Sequence, residues 1–111
     1  MEFVIIAYDG TDEKALARRL SVREEHLAIA YEMNAAGKML CGGAILDDSD
    51  RMVGSVVICN FESRAELDAY LKTDPYVTKG VWKDIEVHKF RVGPMYKNGT
   101  PAPTVSLKSP E

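Results

Sequence analysis

The spacing of apolar residues changes repeatedly along this chain of 111 residues, and the order of the changes restricts the fold. Short apolar runs predict strands, whereas apolar residues three or four positions apart predict helices. Strand patterns cover residues 3–8, 38–46, 51–61 and 84–92, and helical patterns cover residues 13–36 and 63–72. The resulting order, β-α-β-β-α-β, predicts an α+β protein with the ferredoxin-like arrangement and an antiparallel sheet.

The third strand pattern carries apolar residues on both faces, although a half-exposed antiparallel strand alternates apolar and polar residues. One face has Val53, Val57, Cys59 and Phe61, and the other has Val56 and Ile58. Two helices can cover only one face of a four-stranded sheet. A second copy of the chain is the simplest cover for the other face, so the pattern predicts a homodimer.

The long helical pattern of residues 13–36 predicts one amphipathic helix, or two if Ser21 caps a second segment. Its apolar stripe comprises Leu16, Leu20, Leu27 and Tyr31. At about 100° per residue, His26 lies on the shoulder of this stripe, with Arg19 and Arg23 on the same side. The pattern alone leaves two interpretations open: a half-buried histidine at a site, or a satisfied boundary histidine beside solvated arginines.

The stretch "DPY", which begins at Asp74, predicts the start of a short helical turn over residues 75–81. Aspartate is a good N-cap, and proline fits the first helical position. Capping alone therefore explains Asp74, unless another reactive group reaches its carboxylate. Tyr76 and Trp82 flank the turn and are expected to line the core or a cleft.

Charge and apolar run length limit the partners that the chain can have. The net charge is −3 with a pI near 5.4, and the lack of a basic block disfavours nucleic acid and anionic membranes as partners. The apolar runs are too short to span a bilayer, and the first residues show no signal peptide pattern. Cys41 and Cys59 form no CxxC motif and are expected to be buried thiols of a cytoplasmic protein.

Other clusters in the sequence predict structure rather than cofactor binding. The acidic residues 47–50 lack the glycine and glutamate of a calcium loop, so a polar hairpin turn is predicted there. Gly54 and Ser55 are small and leave room above the sheet. No metal, flavin or nucleotide motif is recognisable, so no metal site and no cofactor are predicted.

The length of the chain predicts a single domain, which we assign to residues 1–93. Residues 94–111 contain four of the five prolines and few large apolar residues. Because proline cannot donate a backbone hydrogen bond, this composition predicts an irregular C-terminal tail.

In two stretches the chain resembles the YCII (YciI-like) domain family. The stretch "RLSVREEHL", which begins at Arg19, is similar to the family's R-x-x-x-R-x-x-H-L, and "DPY" at Asp74 is similar to its D-P-Y. Gly43 and the Gly-Ser pair of the third strand also fit, and the resemblance covers residues 1 to about 93. The chain departs from the family pattern at Glu24, where proline is frequent, and in its longer tail.

The resemblance implies a fold that pairs as a dimeric α+β barrel, with a His-Asp pair in a cleft between sheet and helices. This pair maps onto His26 and Asp74. Some family members are associated with aromatic degradation, including removal of HCl from a chlorinated hydroxyhydroquinone. Because no serine or cysteine nucleophile has matching spacing, we expect His26 to remove a proton from a small aromatic or lactone-type substrate, with Asp74 orienting the imidazole.

The residues expected to contact the substrate are Arg19, Arg23, Ser55 and Tyr76. The sequence leaves open whether the two arginines steady an anionic oxygen or face water. In an alternative interpretation, the chain is a non-catalytic dimeric module that binds a small metabolite or a protein partner, and the His26–Asp74 pair only fixes the helix. Saturable, pH-dependent turnover would distinguish the enzyme from this module.

Overall fold

Four strands form one sheet in the computed structural model, which describes residues 1–96 of the chain. The elements are β1 (Glu2–Asp9), α1 (Ala15–Ala35), β2 (Met39–Leu46), β3 (Met52–Asn60), α2 (Arg64–Leu71), α3 (Pro75–Thr78) and β4 (Trp82–Phe90). The strand order is β2-β3-β1-β4, and every neighbouring pair is antiparallel. The predicted β-α-β-β-α-β order and the ferredoxin-like α+β fold are confirmed.

The predicted C-terminal tail, residues 94–111, is described only at its start. Pro94–Tyr96 form one 3-10 turn. Residues 97–111 lie outside the described residues. The division into a domain of residues 1–93 and an irregular tail therefore stays a prediction.

One face of the sheet is buried beneath α1 and α2. Alternate residues of β1 are buried, from Phe3 at the start of the strand to Asp9 at its end, and Val57 and Cys59 of β3 lie beside them. Leu67 of α2 packs against this face in the main apolar cluster. Burial raises the pKa of the Cys59 thiol to about 11, so this thiol stays protonated near neutral pH.

The opposite face of the sheet carries apolar side chains, and no helix within residues 1–96 covers it. Val4 of β1 pairs with Ile58 of β3, and Ile6 pairs with Val56. All four residues are only partly buried. Strand β3 is therefore apolar on both faces, as its sequence pattern predicts, and its open face is a surface suited to a partner.

The two cysteines differ, although the sequence predicts that both are buried. Cys59 is buried, whereas Cys41 is exposed. Cys41 lies on the edge strand β2, opposite Ile58 of the open face. Its exposure follows from this position, because an edge strand is paired on one side only and no helix within residues 1–96 covers the open face.

Helix α1 is one continuous helix of 21 residues, so a break at Ser21 does not occur. The Ser21 hydroxyl donates to the Arg18 carbonyl (2.7 Å) within the helix instead of capping a new segment. Within residues 1–96, no helix is both long enough and apolar enough to cross a membrane.

The inward face of α1 differs from the predicted apolar stripe. Leu20 and Tyr31 are 51% and 75% exposed, so the prediction that they face the core is wrong. The inward line of the helix includes Ala15, Arg19, Val22 and His26. Further along the helix, Ile29, Ala30 and Met33 pack against the main apolar cluster. The two polar residues of this line face inward because other elements place carboxylates opposite them.

The acidic stretch between β2 and β3 forms the predicted polar turn. Asp47 accepts hydrogen bonds from the backbone N–H groups of Ser49 (2.9 Å) and Arg51 (3.0 Å). These bonds, with the Arg51 contribution the largest, lower the pKa of the Asp47 carboxyl. Asp50 completes the turn with a left-handed φ of 61°, which aspartate tolerates better than most residues.

Close packing of the central strands requires a glycine at position 54. An added Cβ at Gly54 would lie 2.5 Å from the Ala7 carbonyl oxygen, whereas a Cβ at Gly43 would meet nothing within 4 Å. We expect Gly54→Ala to lower the free energy of unfolding by about 1–3 kcal/mol, because backbone atoms must move apart. Urea denaturation measures this change. Gly43→Ala is the matched control, with a change within about 0.5 kcal/mol, and equal effects of the two substitutions would contradict the packing argument.

Candidate active site

His26 and Asp74 form a hydrogen-bonded pair between α1 and the start of α3. His26 Nδ1 lies 2.9 Å from Asp74 Oδ1 and 3.1 Å from Oδ2. Asp74 is fully buried, and the His26 side chain is 12% exposed. Because a carboxylate only accepts hydrogen bonds, Nδ1 carries the proton of a neutral imidazole, and Nε2 is left as the acceptor. The two residues that the sequence analysis paired therefore lie in contact.

Three donors surround the Asp74 carboxylate. Besides His26, the Tyr76 backbone N–H donates to Oδ1 (2.8 Å), and the Tyr70 hydroxyl donates to Oδ2. Burial, followed by the charge of Asp74, raises the pKa of Tyr70 and keeps this donor protonated. Asp74 is also the N-cap of α3, where Pro75 occupies the first turn. Its side chain therefore caps a helix and orients the histidine at once.

The ring of Tyr76 lies between His26 and Arg19. It stacks on the imidazole with 3.8 Å between the ring centroids and 10° between the planes. The Arg19 guanidinium lies over the same ring, 4.7 Å from its centroid. Since His26 and Arg19 are seven residues apart, about 10.5 Å along the helix axis, they approach the ring from opposite sides. Tyr76 thereby joins the His-Asp pair to a second charged cluster.

This second cluster centres on Arg19 of α1. It lies at the end of β1, where Asp9 is the last residue. Arg19 Nη1 donates to both carboxylate oxygens of Asp9 (3.1 and 3.2 Å), and Nη2 donates to Ser55 Oγ (2.9 Å). Trp82 Nε1 donates to the same Ser55 oxygen (3.2 Å). The side chains of Arg19 and Asp9 are 4% and 2% exposed, so their ion pair is buried. Burial raises the pKa of Asp9, and the charge of Arg19 offsets part of that effect.

A cavity of about 390 Å³ opens between α1 and the β2–β3 hairpin, which is a size suited to a small ligand. Its polar lining includes Arg19, Arg23, His26, Ser55 and Tyr76. Much of the remaining wall is apolar or glycine, with Leu27, Ala30, Met39, Gly42, Gly43 and Val57 among its residues. Asp74 does not line the cavity, because it lies behind His26. Five of the six candidate site residues therefore share one cavity wall.

The two candidate arginines differ in their surroundings. Arg19 is buried, and Asp9 balances its charge. Arg23 is exposed at the cavity and forms no ion pair or hydrogen bond with any residue of the described part of the chain. Arg23 is therefore the arginine whose charge is available to an anionic ligand.

Sequence reasoning missed three groups that hold the site together: Asp9, Tyr70 and the indole N–H of Trp82. The strand pattern ends before Asp9, although Asp9 continues the inward alternation of β1, and a carboxylate at an inward position indicates a buried cationic partner. Tyr70 lies in the helical pattern of residues 63–72, and the apolar period of that pattern does not indicate that its hydroxyl binds a carboxylate. Its position four residues before Asp74 was the available signal, because the short connection between α2 and α3 keeps the two residues close.

The fold agrees with the family comparison. The sequence profile of the YCII-related domain matches residues 1–91, and the chain belongs to this family. It is 37% identical to Protein YciI of Escherichia coli O6:H1 over 97 residues, which cover 82% of this chain and 97% of YciI. It is 36% identical, with the same coverage, to an uncharacterized protein of Haemophilus influenzae. The resemblance stated from the two sequence motifs is confirmed.

A solved structure shares the fold over almost its whole length. This structure is the 5-chloro-2-hydroxyhydroquinone dehydrochlorinase TftG of Burkholderia phenoliruptrix AC1100, in complex with 2,5-dihydroxybenzoquinone. The TM-score is 0.72 at 28% sequence identity, and the match covers 84% of this chain and 96% of TftG. The two chains therefore have the same architecture, with moderate sequence similarity.

The buried Asp9–Arg19 pair leads to a stability prediction. Asp9→Asn leaves the buried Arg19 without its counter-ion, so we expect the free energy of unfolding to fall by about 3–5 kcal/mol. Asp12→Asn is the matched control, because the Asp12–Arg18 pair is solvent-exposed and its loss should have little effect. Urea denaturation of both variants at neutral pH measures the difference. Similar small effects at both positions would show that burial adds nothing to the Asp9–Arg19 interaction.

Proposed function

We propose that this protein is a cytoplasmic, cofactor-independent enzyme that moves protons on a small hydroxylated aromatic or lactone-type substrate. The orientation of His26 is the observation that supports this proposal most directly. Asp74 holds Nδ1, while Nε2 has no hydrogen bond to any residue in the range 1–96 and the ring lines the cavity. A general base requires such a free nitrogen within reach of the substrate. Asp74 then orients the ring and stabilises the imidazolium that forms.

Elimination of HCl from a chlorinated hydroxyhydroquinone is the specific reaction that we propose, by similarity to TftG. The reaction balances without an oxidant. His26 Nε2 takes a proton from one ring hydroxyl and returns it to the ring carbon that bears chlorine. It then takes a proton from a second hydroxyl, and chloride leaves with the electrons of the C–Cl bond. The product is a hydroxyquinone, and one imidazole performs both proton transfers.

The charge of the cavity supports a substrate that carries or develops a negative charge. Arg23 is unpaired within the described residues, whereas Asp9 neutralises Arg19. Deprotonation of a ring hydroxyl produces an anionic oxygen, and a nearby guanidinium stabilises it. We therefore assign the anion-pairing role to Arg23, and we assign to Arg19 the role of holding Ser55 and Tyr76 in place.

We expect the purified protein to release chloride from 5-chloro-2-hydroxyhydroquinone under anaerobic conditions, as a chloride-sensitive assay measures. Replacing His26 by Gln removes the base and should lower kcat by about 10²–10⁴-fold. Asp74→Asn should lower kcat less, because it removes only the orienting charge. The double variant should be no slower than His26→Gln, since the two residues act as a unit.

His88→Gln is the matched control for this experiment, because His88 is exposed on β4 and lies outside the cavity. Its kcat should equal that of the unmodified protein. Full turnover by His26→Gln would contradict the assigned role. Stabilisation of the protein by the substrate, with no turnover, would instead favour the non-catalytic binding module.

We also propose that two copies of the chain pair through the open face of the sheet. Its central side chains are Val4, Ile6, Val56 and Ile58, which lie opposite one another across β1 and β3. An exposed apolar patch of this kind is unfavourable in water and is buried when it meets a copy of itself across a two-fold axis. The helices of each copy would then lie on the outside of the pair.

Sedimentation at micromolar concentration should therefore give about twice the chain mass of 12.3 kDa. Ile58→Glu places a carboxylate on the open face and should produce the monomer, because an unpaired buried charge is costly. Ala69→Glu makes the same kind of change on the exposed side of α2 and should leave the dimer intact. A dimer that is insensitive to Ile58→Glu would place the interface elsewhere.

A further inference from the structure

Ser55 has a hydroxyl proton with no acceptor in the described part of the chain. Its oxygen accepts hydrogen bonds from Arg19 Nη2 (2.9 Å) and Trp82 Nε1 (3.2 Å). Neither of these groups can accept a bond in return, and a hydroxyl has two acceptor sites and one donor. Both acceptor sites are therefore filled. The Ser55 proton must point elsewhere, and Ser55 lines the cavity.

Tyr76 presents a second hydroxyl of this kind. The residue is 1% exposed, since His26 and Arg19 cover the two faces of its ring. Its hydroxyl makes no hydrogen bond within residues 1–96, yet it is not enclosed, because Arg19 Nε is the enclosed polar atom without a partner in that range. Tyr76 itself lines the cavity, so its hydroxyl is a candidate donor to a ligand there. Burial raises the pKa of Tyr76, so the group stays protonated and able to donate.

A hydroxyl at a cavity wall that has no acceptor in the protein donates to whatever occupies the cavity, either water or a ligand atom. We propose that Ser55 and Tyr76 form an oxyanion site that holds the negatively charged oxygen of a phenolate-type ligand. This inference rests on the proposed function of the cavity but not on one particular reaction. The site would act most strongly after His26 has removed the proton, when the oxygen carries a full charge.

Arg19 fixes the geometry of this site without occupying it. Its Nη2 binds Ser55, and its guanidinium lies over the Tyr76 ring. Asp9 neutralises the positive charge of Arg19, so Arg19 does not itself draw the ligand oxygen away from the two hydroxyls. Two donors held in place by a buried ion pair need no reorganisation when the ligand charge appears, which is the condition for effective oxyanion stabilisation.

Tyr76→Phe tests the proposal, because it removes the hydroxyl and keeps the ring and the backbone bond to Asp74. The probes are 4-nitrophenolate, which has an anionic oxygen, and 4-nitroanisole, whose oxygen is methylated and neutral. We expect the unmodified protein to bind the phenolate more tightly. In Tyr76→Phe, phenolate affinity should fall about 10- to 100-fold, whereas affinity for the anisole should be unchanged.

Tyr96→Phe is the control, since Tyr96 is 76% exposed and does not line this cavity. It should leave both affinities unchanged. The melting temperature of Tyr76→Phe should also be unchanged, because its hydroxyl has no partner among the described residues. Because Arg23 also favours an anion, part of the phenolate preference should remain in Tyr76→Phe. A preference as large in Tyr76→Phe as in the unmodified protein would overturn the proposal, and so would a loss of affinity that is equal for the two probes.

The outcome is separable from that of the chloride-release experiment. If the unmodified protein prefers the phenolate through Tyr76 but releases no chloride, the oxyanion site stands and the proposed reaction falls. If chloride is released while the protein binds both probes equally, the reaction stands and the oxyanion site is overturned. Ser55→Ala removes the acceptor of Arg19 and Trp82 as well, so its melting temperature should fall along with its phenolate affinity.

Discussion

The buried carboxylate of Asp74 is the interaction on which the site depends. A carboxylate that is removed from water is costly unless hydrogen bonds replace its hydration. Here one donor comes from α1 (His26), one from α2 (Tyr70) and one from α3 (the Tyr76 N–H). The same group therefore joins three helices and fixes the tautomer of the histidine. A change in the relative position of any two helices would leave part of a buried charge unsatisfied, so the fold and the orientation of His26 are coupled.

Helix α1 has polar residues on its inward line, where apolar residues would stabilise the core more. Arg19 and His26 both lie on that line, each opposite a carboxylate from another element. Replacing buried ion pairs by well-packed apolar residues is often neutral or stabilising, so stability alone does not account for this arrangement. Side chains on a helix are held more rigidly than side chains on a loop. The two polar residues of α1 therefore hold the Tyr76 ring of α3 between the imidazole and the guanidinium, along one wall of the cavity.

The sequence predicted the order of elements well, because the period of apolar residues changes clearly between helices and strands. It did not predict the inward face of α1, since Leu20 and Tyr31 form a competing apolar stripe and only the distant carboxylates decide between the two faces. The contact between His26 and Asp74 joins residues 48 positions apart, and no local spacing encodes it. The family resemblance suggested that pair. The donors around it, such as Tyr70, required the three-dimensional structure.

The same contacts favour proton transfer over covalent catalysis. Ser55 is the cavity serine, but its oxygen accepts two N–H groups and contacts no base within residues 1–96 that could remove its proton. Cys59 is buried, and its raised pKa of about 11 keeps the thiol protonated. Cys41 is exposed on the edge strand and has no hydrogen bond to a base in the described residues. Among residues 1–96, His26 places at the cavity a ring nitrogen, Nε2, that has no hydrogen bond to the protein. The proposed elimination fits these contacts, because a general base that moves protons on the substrate needs no nucleophile from the protein.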